Sequence, residues 1–250
     1  MARAVLVTGG AKRLGAAIVR QLAAEGHHVV IHCHASRDEA HALANEVGGA
    51  VVQADLSDPA AAAALIASAR EAAGGPVDGL VNSASAFEFD RPEKMDADLF
   101  ARLQAINAGS PAALASALVA QADVVDGSVV NLLDQKLANL NPDFFSYTCA
   151  KAALASATVM LAQALAPRVA VNAVSPGLTL PSGDQSADEF AAVGAQNLLQ
   201  RPVGASAVAD AVAFLIGGRG LTGQNLFVDC GQRFVKRTSD VMFERERARG

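Results

Sequence analysis

The sequence has no tryptophan and one tyrosine, and aromatic residues make up only 4% of its 250 positions. That scarcity argues against stacking on aromatic side chains as a broad binding strategy. Cysteine is almost as rare. Cys33, Cys149 and Cys230 are too few and too scattered for a disulfide framework or a zinc site, so no metal is expected. They are expected to be buried, reduced thiols, which fits a cytoplasmic protein. There is no basic excess either. Lys and Arg number 20 against 25 Asp and Glu, a net charge of −5. A face that neutralises nucleic-acid phosphates is not expected from that balance. No stretch of about 20 purely apolar residues is present, the length a membrane-spanning helix needs. The apolar run at residues 4–7 is too short for a signal peptide.

What the chain has is apolar mass: 52% hydrophobic against 18% charged, which excludes disorder as its overall state. Its length, at about 100–200 residues per domain, suits one α/β domain over residues 1–250. Short strands are expected at residues 4–7, 27–34, 50–54, 79–82, 128–133, 169–175 and 225–229. Helical spacing falls between them, at 15–25, from Ser36, from Pro59, and at 94–106, 111–122, 147–165 and 208–216. Gly26 stops the first helix. Ser36 and Glu39 have the spacing of a capping box for the second, and Asp58-Pro59 opens the third. The stretch 176–199 is less periodic and reads as a loop with one or two helices. Residues 243–250 are highly charged and are expected to be solvated or pinned by a neighbouring subunit. Strand and helix alternating in this way predict a doubly wound, Rossmann-type α/β fold, with a parallel sheet covered by helices on both faces.

The first strand runs into Thr8-Gly9-Gly10-Ala11-Lys12-Arg13-Leu14-Gly15 and then a helix. Glycines let the backbone turn tightly and approach a phosphate, and a helix N-terminus adds N–H donors and a positive dipole end. An ordinary βα turn uses glycine too. Position on the first strand of a doubly wound sheet is what points to a dinucleotide. NAD binders place an acid at the end of the second strand for the ribose 2′-OH. Here that strand ends His32-Cys33-His34-Ala35-Ser36-Arg37, with no acid until Asp38. Arg13 is expected to fold near His34, Ser36 and Arg37, a donor-rich group suited to a 2′-phosphate and hence to NADPH over NADH. Ser36 also suits helix capping alone, and Arg37 a solvated surface charge. Asp55, followed by Leu56, ends the third strand, where it suits an adenine amino group or simply caps its loop.

The only tyrosine lies in Tyr147-Thr148-Cys149-Ala150-Lys151. Four-residue spacing puts Tyr147 and Lys151 on one helix face. A lysine ammonium beside a phenol is expected to lower its pKa from about 10 and tune it for proton exchange near neutral pH. Such a pair is common on surface helices. It gains weight from the glycine turn upstream and from its place after the fifth strand.

In that combination the chain resembles the short-chain dehydrogenase/reductase family over nearly its full length. The matching elements are Thr8–Gly15, Asp55, Asn82-Ser83-Ala84-Ser85, Asn107, Tyr147 with Lys151, and Ser175-Pro176-Gly177. The resemblance implies a seven-stranded parallel sheet, a nicotinamide cofactor and Tyr147 as catalytic acid. It implies that Lys151 binds the nicotinamide ribose and lowers the tyrosine pKa, and that Asn107 supports a proton relay. It also implies that Asn82 and Ala84 lie along the cofactor and that Pro176 and Gly177 pack beside the nicotinamide. Two positions depart from the common pattern: Arg13 replaces a glycine of the first turn, and Asp134 replaces the serine thirteen residues before the tyrosine. Both departures, with Lys12–Gly15, His32–Ser36 and Ser85-Ala86-Phe87, resemble the pteridine reductase branch. There Phe87 is expected to stack on the substrate and Ser85 to lie near the pyrophosphate and the pterin. That branch has an arginine where this chain has Ala35, and the second asparagine of the usual turn is Ser83.

Reducing a C=N bond requires protonating a ring nitrogen. A carboxyl at position 134 can do that directly or through water if burial raises its pKa. The expected activity is therefore hydride transfer from NADPH to a C=N carbon of a pterin. Tyr147, Lys151 and Asp134 would deliver the proton, and Phe87 would clamp the ring against the nicotinamide. Two other readings stand beside it. One is a generic NADPH-dependent carbonyl reductase acting on a 3-oxoacyl thioester or a sugar. The other is a non-catalytic NADP-binding sensor. Residues 178–199 would form the variable substrate wall. The small side chains of the alanine-rich helix from Tyr147 allow close helix–helix approach, or simply packing against the sheet. In the resembled family such helices build a dimer face and dimers pair into tetramers, so the resemblance implies a homo-oligomer, with a tetramer first.

Overall fold

A computed structural model describes residues 2–181, 186–218 and 220–243. Seven strands form one parallel sheet: β1 (Ala4–Thr8), β2 (His28–Cys33), β3 (Ala50–Gln53), β4 (Gly79–Asn82), β5 (Gly127–Leu132), β6 (Val169–Pro176) and β7 (Asn225–Val228). The spatial order is β3-β2-β1-β4-β5-β6-β7. Val5, Leu6, Val7, Leu80, Val81, Val129 and Val130 are fully buried. Strands with both faces covered need such continuous apolar runs rather than an alternating pattern.

The helices are α1 (Arg13–Ala24), α2 (Arg37–Val47), α3 (Pro59–Ala73), α4 (Ala97–Gln104), α5 (Ser110–Ala120), α6 (Phe145–Leu165), α7 (Ala187–Gly194) and α8 (Ala205–Gly217). Ile18, Val19 and Leu22 of α1, Leu43 of α2 and Val208, Val212 and Ile216 of α8 form one core. Leu65 and Ile66 of α3, Leu114 and Leu118 of α5 and Ala162 of α6 form the other. The stretch Ala97–Ala120 and α6 are long and apolar enough to cross a bilayer. Both instead supply side chains to cores built on the sheet.

The chain leaves β1 towards β2 and β3 on one side and returns to β4 on the other. That reversal opens a crevice at the carboxyl ends of β1 and β4, where sheets of this kind bind ligands. Register brings the ends level: Thr8 pairs with Asn82, and Asn82 with Asn131. Thr8 also seals the crevice floor, its Oγ1 accepting the N–H groups of Ser83 and Ala84 at 3.0 Å each.

Several local expectations are corrected. Ser36 is the residue before α2, but its side chain makes no capping bond. Glu39 turns instead to Lys12 of the glycine turn, 2.5 Å away, so the capping box does not form. Cys33 is buried as expected, whereas Cys149 and Cys230 are partly exposed; all three are free thiols. The helix expected over 94–106 begins later, capped by Asp96, which accepts from the N–H groups of Asp98 and Leu99 at 2.9 Å. It then widens into a π-turn over Ala105–Gly109 and runs directly into α5. Residues 182–185, within the expected substrate loop, and 244–250, within the charged tail, lie outside the described residues.

Candidate active site

The crevice is a cavity of about 410 Å³, walled by the glycine turn, Ser83–Ser85, Leu132–Asp134, Tyr147, Lys151 and the segment from Pro176 to Leu180. Its shape follows from two close approaches. Gly9 has φ +62°, and a Cβ there would stand 2.9 Å from the Cα of Ala84. A Cβ on Gly15 would run into the carbonyl of Gly9. These are positions at which only glycine fits, and they bring bare backbone to the cleft. The first turn of α1 has no side-chain cap and no acidic residue. Arg13, Leu14 and Gly15 line the cavity at that turn, so amide donors and the positive dipole end meet there. The cleft thus fits a pyrophosphate-bearing cofactor by size, by donor set and by backbone exposure.

Asp134, Tyr147 and Lys151 meet deeper in the same cavity. Tyr147 lies in the first turn of α6, and Lys151 one turn on. Asp134 follows β5, where its Oδ1 accepts the Lys136 N–H at 2.8 Å and so also caps a short helical turn. Its Oδ2 accepts the Tyr147 hydroxyl at 2.9 Å. Lys151 donates to the carbonyl of Leu132 at 2.8 Å, with its ammonium 5.7 Å from the tyrosine ring centre.

The charges correct one expectation. Burial pushes the Tyr147 phenol well above its usual 10, and the Asp134 carboxylate pushes it the same way. The groups that set it are burial, Asp134 and Asp240 and do not include Lys151, whose ammonium donates to the Leu132 carbonyl and favours the Asp134 carboxylate. Burial raises the Asp134 carboxyl against the opposing pull of its hydrogen bonds and of Lys151. Burial lowers Lys151 to about 8. All three shifts share one cause, the cost of holding charge away from water.

Phe87 stands at the outer lip, 45% exposed. It stacks on Phe144, with ring centres 4.0 Å apart, and meets Tyr147 edge-on at 4.8 Å. It lines a second cavity of about 220 Å³ that shares Asp134, Tyr147 and Gly177 with the first. One face of Phe87 is thus braced while the ring still borders open space. Asn107 sits in the π-turn, fully buried. It donates to the carbonyls of Ala86 at 2.9 Å and Leu103 at 3.1 Å, and accepts from Ser85 Oγ at 2.7 Å. Its side chain braces the loop that carries Phe87 rather than reaching Lys151.

The other expected positions divide. Ala84, Ser85, Pro176 and Gly177 line the cavity. Asn82 does not. It is 2% exposed and points into the core, donating to Asn131 Oδ1 at 2.8 Å. Arg13 is also corrected. Its backbone is in the left-handed region, φ 52°, and its guanidinium donates to the Pro181 carbonyl at 2.6 Å. It leans towards the substrate segment, and Lys12 takes the side facing α2. His34 is exposed and stands 3.9 Å from Asp55, whose carboxylate accepts the Ser57 N–H at 2.8 Å. Leu56 is buried, and its carbonyl accepts Ser110 Oγ. Ser36, His34, Asp55 and Leu56 thus stand just past the ends of β2 and β3 and are not among the residues that line the cavity.

Sequence reasoning missed two groups. Gln232, Asp240 and Val241 wall the second cavity, about 100 residues beyond Asp134 in the chain. No local pattern signals them. Asp90 is the other. It is buried, accepts the Ser146 N–H at 3.0 Å and holds the Ser146 hydroxyl, so it caps α6 one residue before Tyr147. An aspartate 56 residues from the helix it caps has no helix-start signature.

Comparison with known proteins agrees with this geometry. A family model described as enoyl-(acyl carrier protein) reductase matches residues 9–233. The crystal structure of FolM alternative dihydrofolate reductase 1 from Brucella canis, solved with NADP, superposes with a TM-score of 0.89 at 42% identity, covering 95% of this chain and 96% of that one. An uncharacterised oxidoreductase of Methylorubrum extorquens is 31% identical over 244 residues, covering 92% of this chain and 98% of the relative. A dihydromonapterin reductase of an Enterobacter species is 24% identical over 233 residues, covering 92% and 96%.

Proposed function

The chain belongs to the short-chain dehydrogenase/reductase family, and from that membership we propose that it is an NADPH-dependent oxidoreductase that reduces the C=N bond of a pterin. The observation that carries the reading is the bond between the Tyr147 hydroxyl and Asp134, in a cavity that Phe87 also lines. Likeness to the NADP-bound FolM structure and to the dihydromonapterin reductase supports it.

Gly9, Arg13, Leu14 and Gly15 would hold the pyrophosphate, with Ala84, Ser85, Pro176 and Gly177 along the rest of the cofactor. His34, Ser36, Asp55 and Leu56 would border its adenosine end. When bound, NADPH supplies the hydride. The remaining work belongs to this chain. Phe87 offers a flat apolar face to a flat heterocycle, and its packing on Phe144 fixes that face in advance. Less orientational freedom is then lost when the substrate is placed for reaction. A ring nitrogen that gains negative charge needs a proton. Tyr147 holds one at Oη, and the raised carboxyl of Asp134 keeps its proton to higher pH than a solvated aspartate. The hydrogen bond between them lets one group restore the proton the other gives up. Lys151 keeps a positive charge beside Asp134 and balances the pair as charge moves.

We read the protein as acting in the cytoplasm as a homo-oligomer, with a tetramer first. The exposed apolar side chains Val159 and Met160 on α6 support a subunit interface there. The function is tested by following NADPH oxidation with dihydrobiopterin, dihydromonapterin, dihydrofolate and acetoacetyl thioesters in parallel. Turnover of the pterins is expected. Oxidation with the thioester alone would mean a carbonyl reductase instead, and cofactor binding without turnover of any of them would mean a sensor.

A further inference from the structure

The glycine turn leans on a histidine. Gly10 donates its N–H to the carbonyl of His32 at 3.0 Å, and Gly9 donates its N–H to His32 Nδ1 at 3.1 Å. A backbone N–H only donates, so Nδ1 must present a bare lone pair. Across the ring, Nε2 stands 3.2 Å from the carbonyl of Ala54, which only accepts. Nε2 therefore carries the hydrogen. Both ring nitrogens are committed, and they specify one neutral tautomer. The ring is 2% exposed and ties the turn after β1 to the end of β3. Protonation would set an Nδ1–H against the Gly9 N–H, two donors with no acceptor between them.

We propose that His32 is a positioning residue for the dinucleotide: its neutral Nδ1 fixes the Gly9 amide, and protonation of the ring loosens the turn and weakens cofactor binding. The inference rests on the NADPH assignment and not on the identity of the substrate. Gly9 is the residue whose close approach to Ala84, and whose carbonyl against Gly15, shape the cleft, so its orientation sets where the backbone meets the phosphates. Burial lowers the ring pKa, which keeps it in the required form at neutral pH. The strands on either side, β1 and β3, carry no ionisable side chain. The ionisable group that acts on it is His34, just past the end of β2, and α3, which packs on the same face of β2 as Val30, brings Asp58 at its N-terminus. The linkage has one sign. Binding that needs the neutral ring weakens as pH falls through the ring pKa, and bound cofactor lowers that pKa further.

The test is NADPH affinity against pH in the full chain for wild type, His32→Asn and His32→Gln, with imidazole nitrogen NMR on the wild type. Asn places its amide oxygen where Nδ1 was and does not titrate. It should bind NADPH within about threefold of wild type at neutral pH and show a flatter acid limb. Gln places its amide near the Nε2 position and leaves the Gly9 N–H without its acceptor. It should bind about five- to tenfold more weakly than wild type at neutral pH, with the gap closing in acid as the wild-type ring protonates and loses the same acceptor. Titration of the cofactor 2′-phosphate is common to all three proteins and cancels in the comparison. In the wild type, NMR should show hydrogen on Nε2 only, and saturating NADPH should lower the His32 pKa. Hydrogen on Nδ1, a pKa unmoved by NADPH, equal acid limbs in wild type and His32→Asn, or wild-type binding by His32→Gln would each overturn the proposal. The two NMR readouts need no variant to fold. No NADPH binding by wild type at any pH would remove the cofactor assignment and the proposal together, whereas NADPH binding without pterin turnover would remove only the pterin reading.

Discussion

Replacing Asp134 with Asn perturbs the proposed proton route at its narrowest point. The carboxyl accepts twice, from the Lys136 N–H at 2.8 Å and from the Tyr147 hydroxyl at 2.9 Å. An amide of the same size has one acceptor oxygen and one NH2 donor. If its oxygen keeps the Lys136 bond, its NH2 faces the phenol, which must then accept rather than donate. The bond is reversed, and the second acid is gone. Loss of a positioned general acid lowers rates by about 10²–10⁴, or roughly 3–5 kcal/mol of barrier. A fall of that size in kcat is expected, with KM nearly unchanged because the shape is kept. Stability responds through the same carboxyl. The folded-state pKa of Asp134 is raised by burial, so its contribution is fully present below the ordinary carboxylate range and is lost as pH rises through the raised value. The amide does not titrate, so Asp134→Asn should lack that slope in the pH series. The assays are NADPH absorbance with a dihydropterin, in steady state and single turnover, and denaturant unfolding across a pH series. A variant retaining more than about a tenth of wild-type kcat would refute the assignment of Asp134 to proton delivery.

Three further outcomes follow from the same contacts. Lys151 is lowered from 10.5 to about 8 by burial, so the unfolded chain binds its proton more tightly between those values. Wild-type stability should therefore rise with pH across that interval, by at most about 3 kcal/mol, and Lys151→Met should abolish the rise in unfolding experiments. Phe87→Ala removes a half-exposed ring that stacks on Phe144. It should cost only about 1–2 kcal/mol of stability while raising KM for a pterin by about tenfold; an unchanged KM would mean the substrate does not use that face. Asp90→Ala strips the cap from the N-terminus of α6 and leaves the buried Ser146 amide without its partner. A loss of about 2–3 kcal/mol is expected in denaturant midpoints, and hydrogen exchange should show fraying at Phe145–Tyr147; equal protection in both proteins would contradict it.

Most of the scaffold was legible because its signals are local. All seven strands were placed within two residues of their observed ends, and Gly9, Gly15, Tyr147 and Lys151 announced themselves by type and spacing. Electrostatics was not legible. The Tyr147–Lys151 spacing predicts an acidified phenol, but the pair lies in a buried site with a carboxylate beside the hydroxyl, and both push the other way. Direction was also lost. Nothing in the turn sequence says that Arg13, at positive φ, aims at Pro181 while Lys12 takes the α2 side. The capping box failed for a related reason: Glu39 found Lys12 of the glycine turn instead of its own helix start.

The order of residues by itself determined the repeating strand and helix, the glycine turn, and which side chains could carry a proton, since all of these depend on neighbours within a few positions. Folding decided what those side chains would do. It set the Asp134 carboxyl against the only phenol, walled the pocket with residues from the far end of the chain, and tied the Gly9 amide to a strand that begins 19 residues later. Burial and long-range contact set those properties, and neither exists until the sheet has closed.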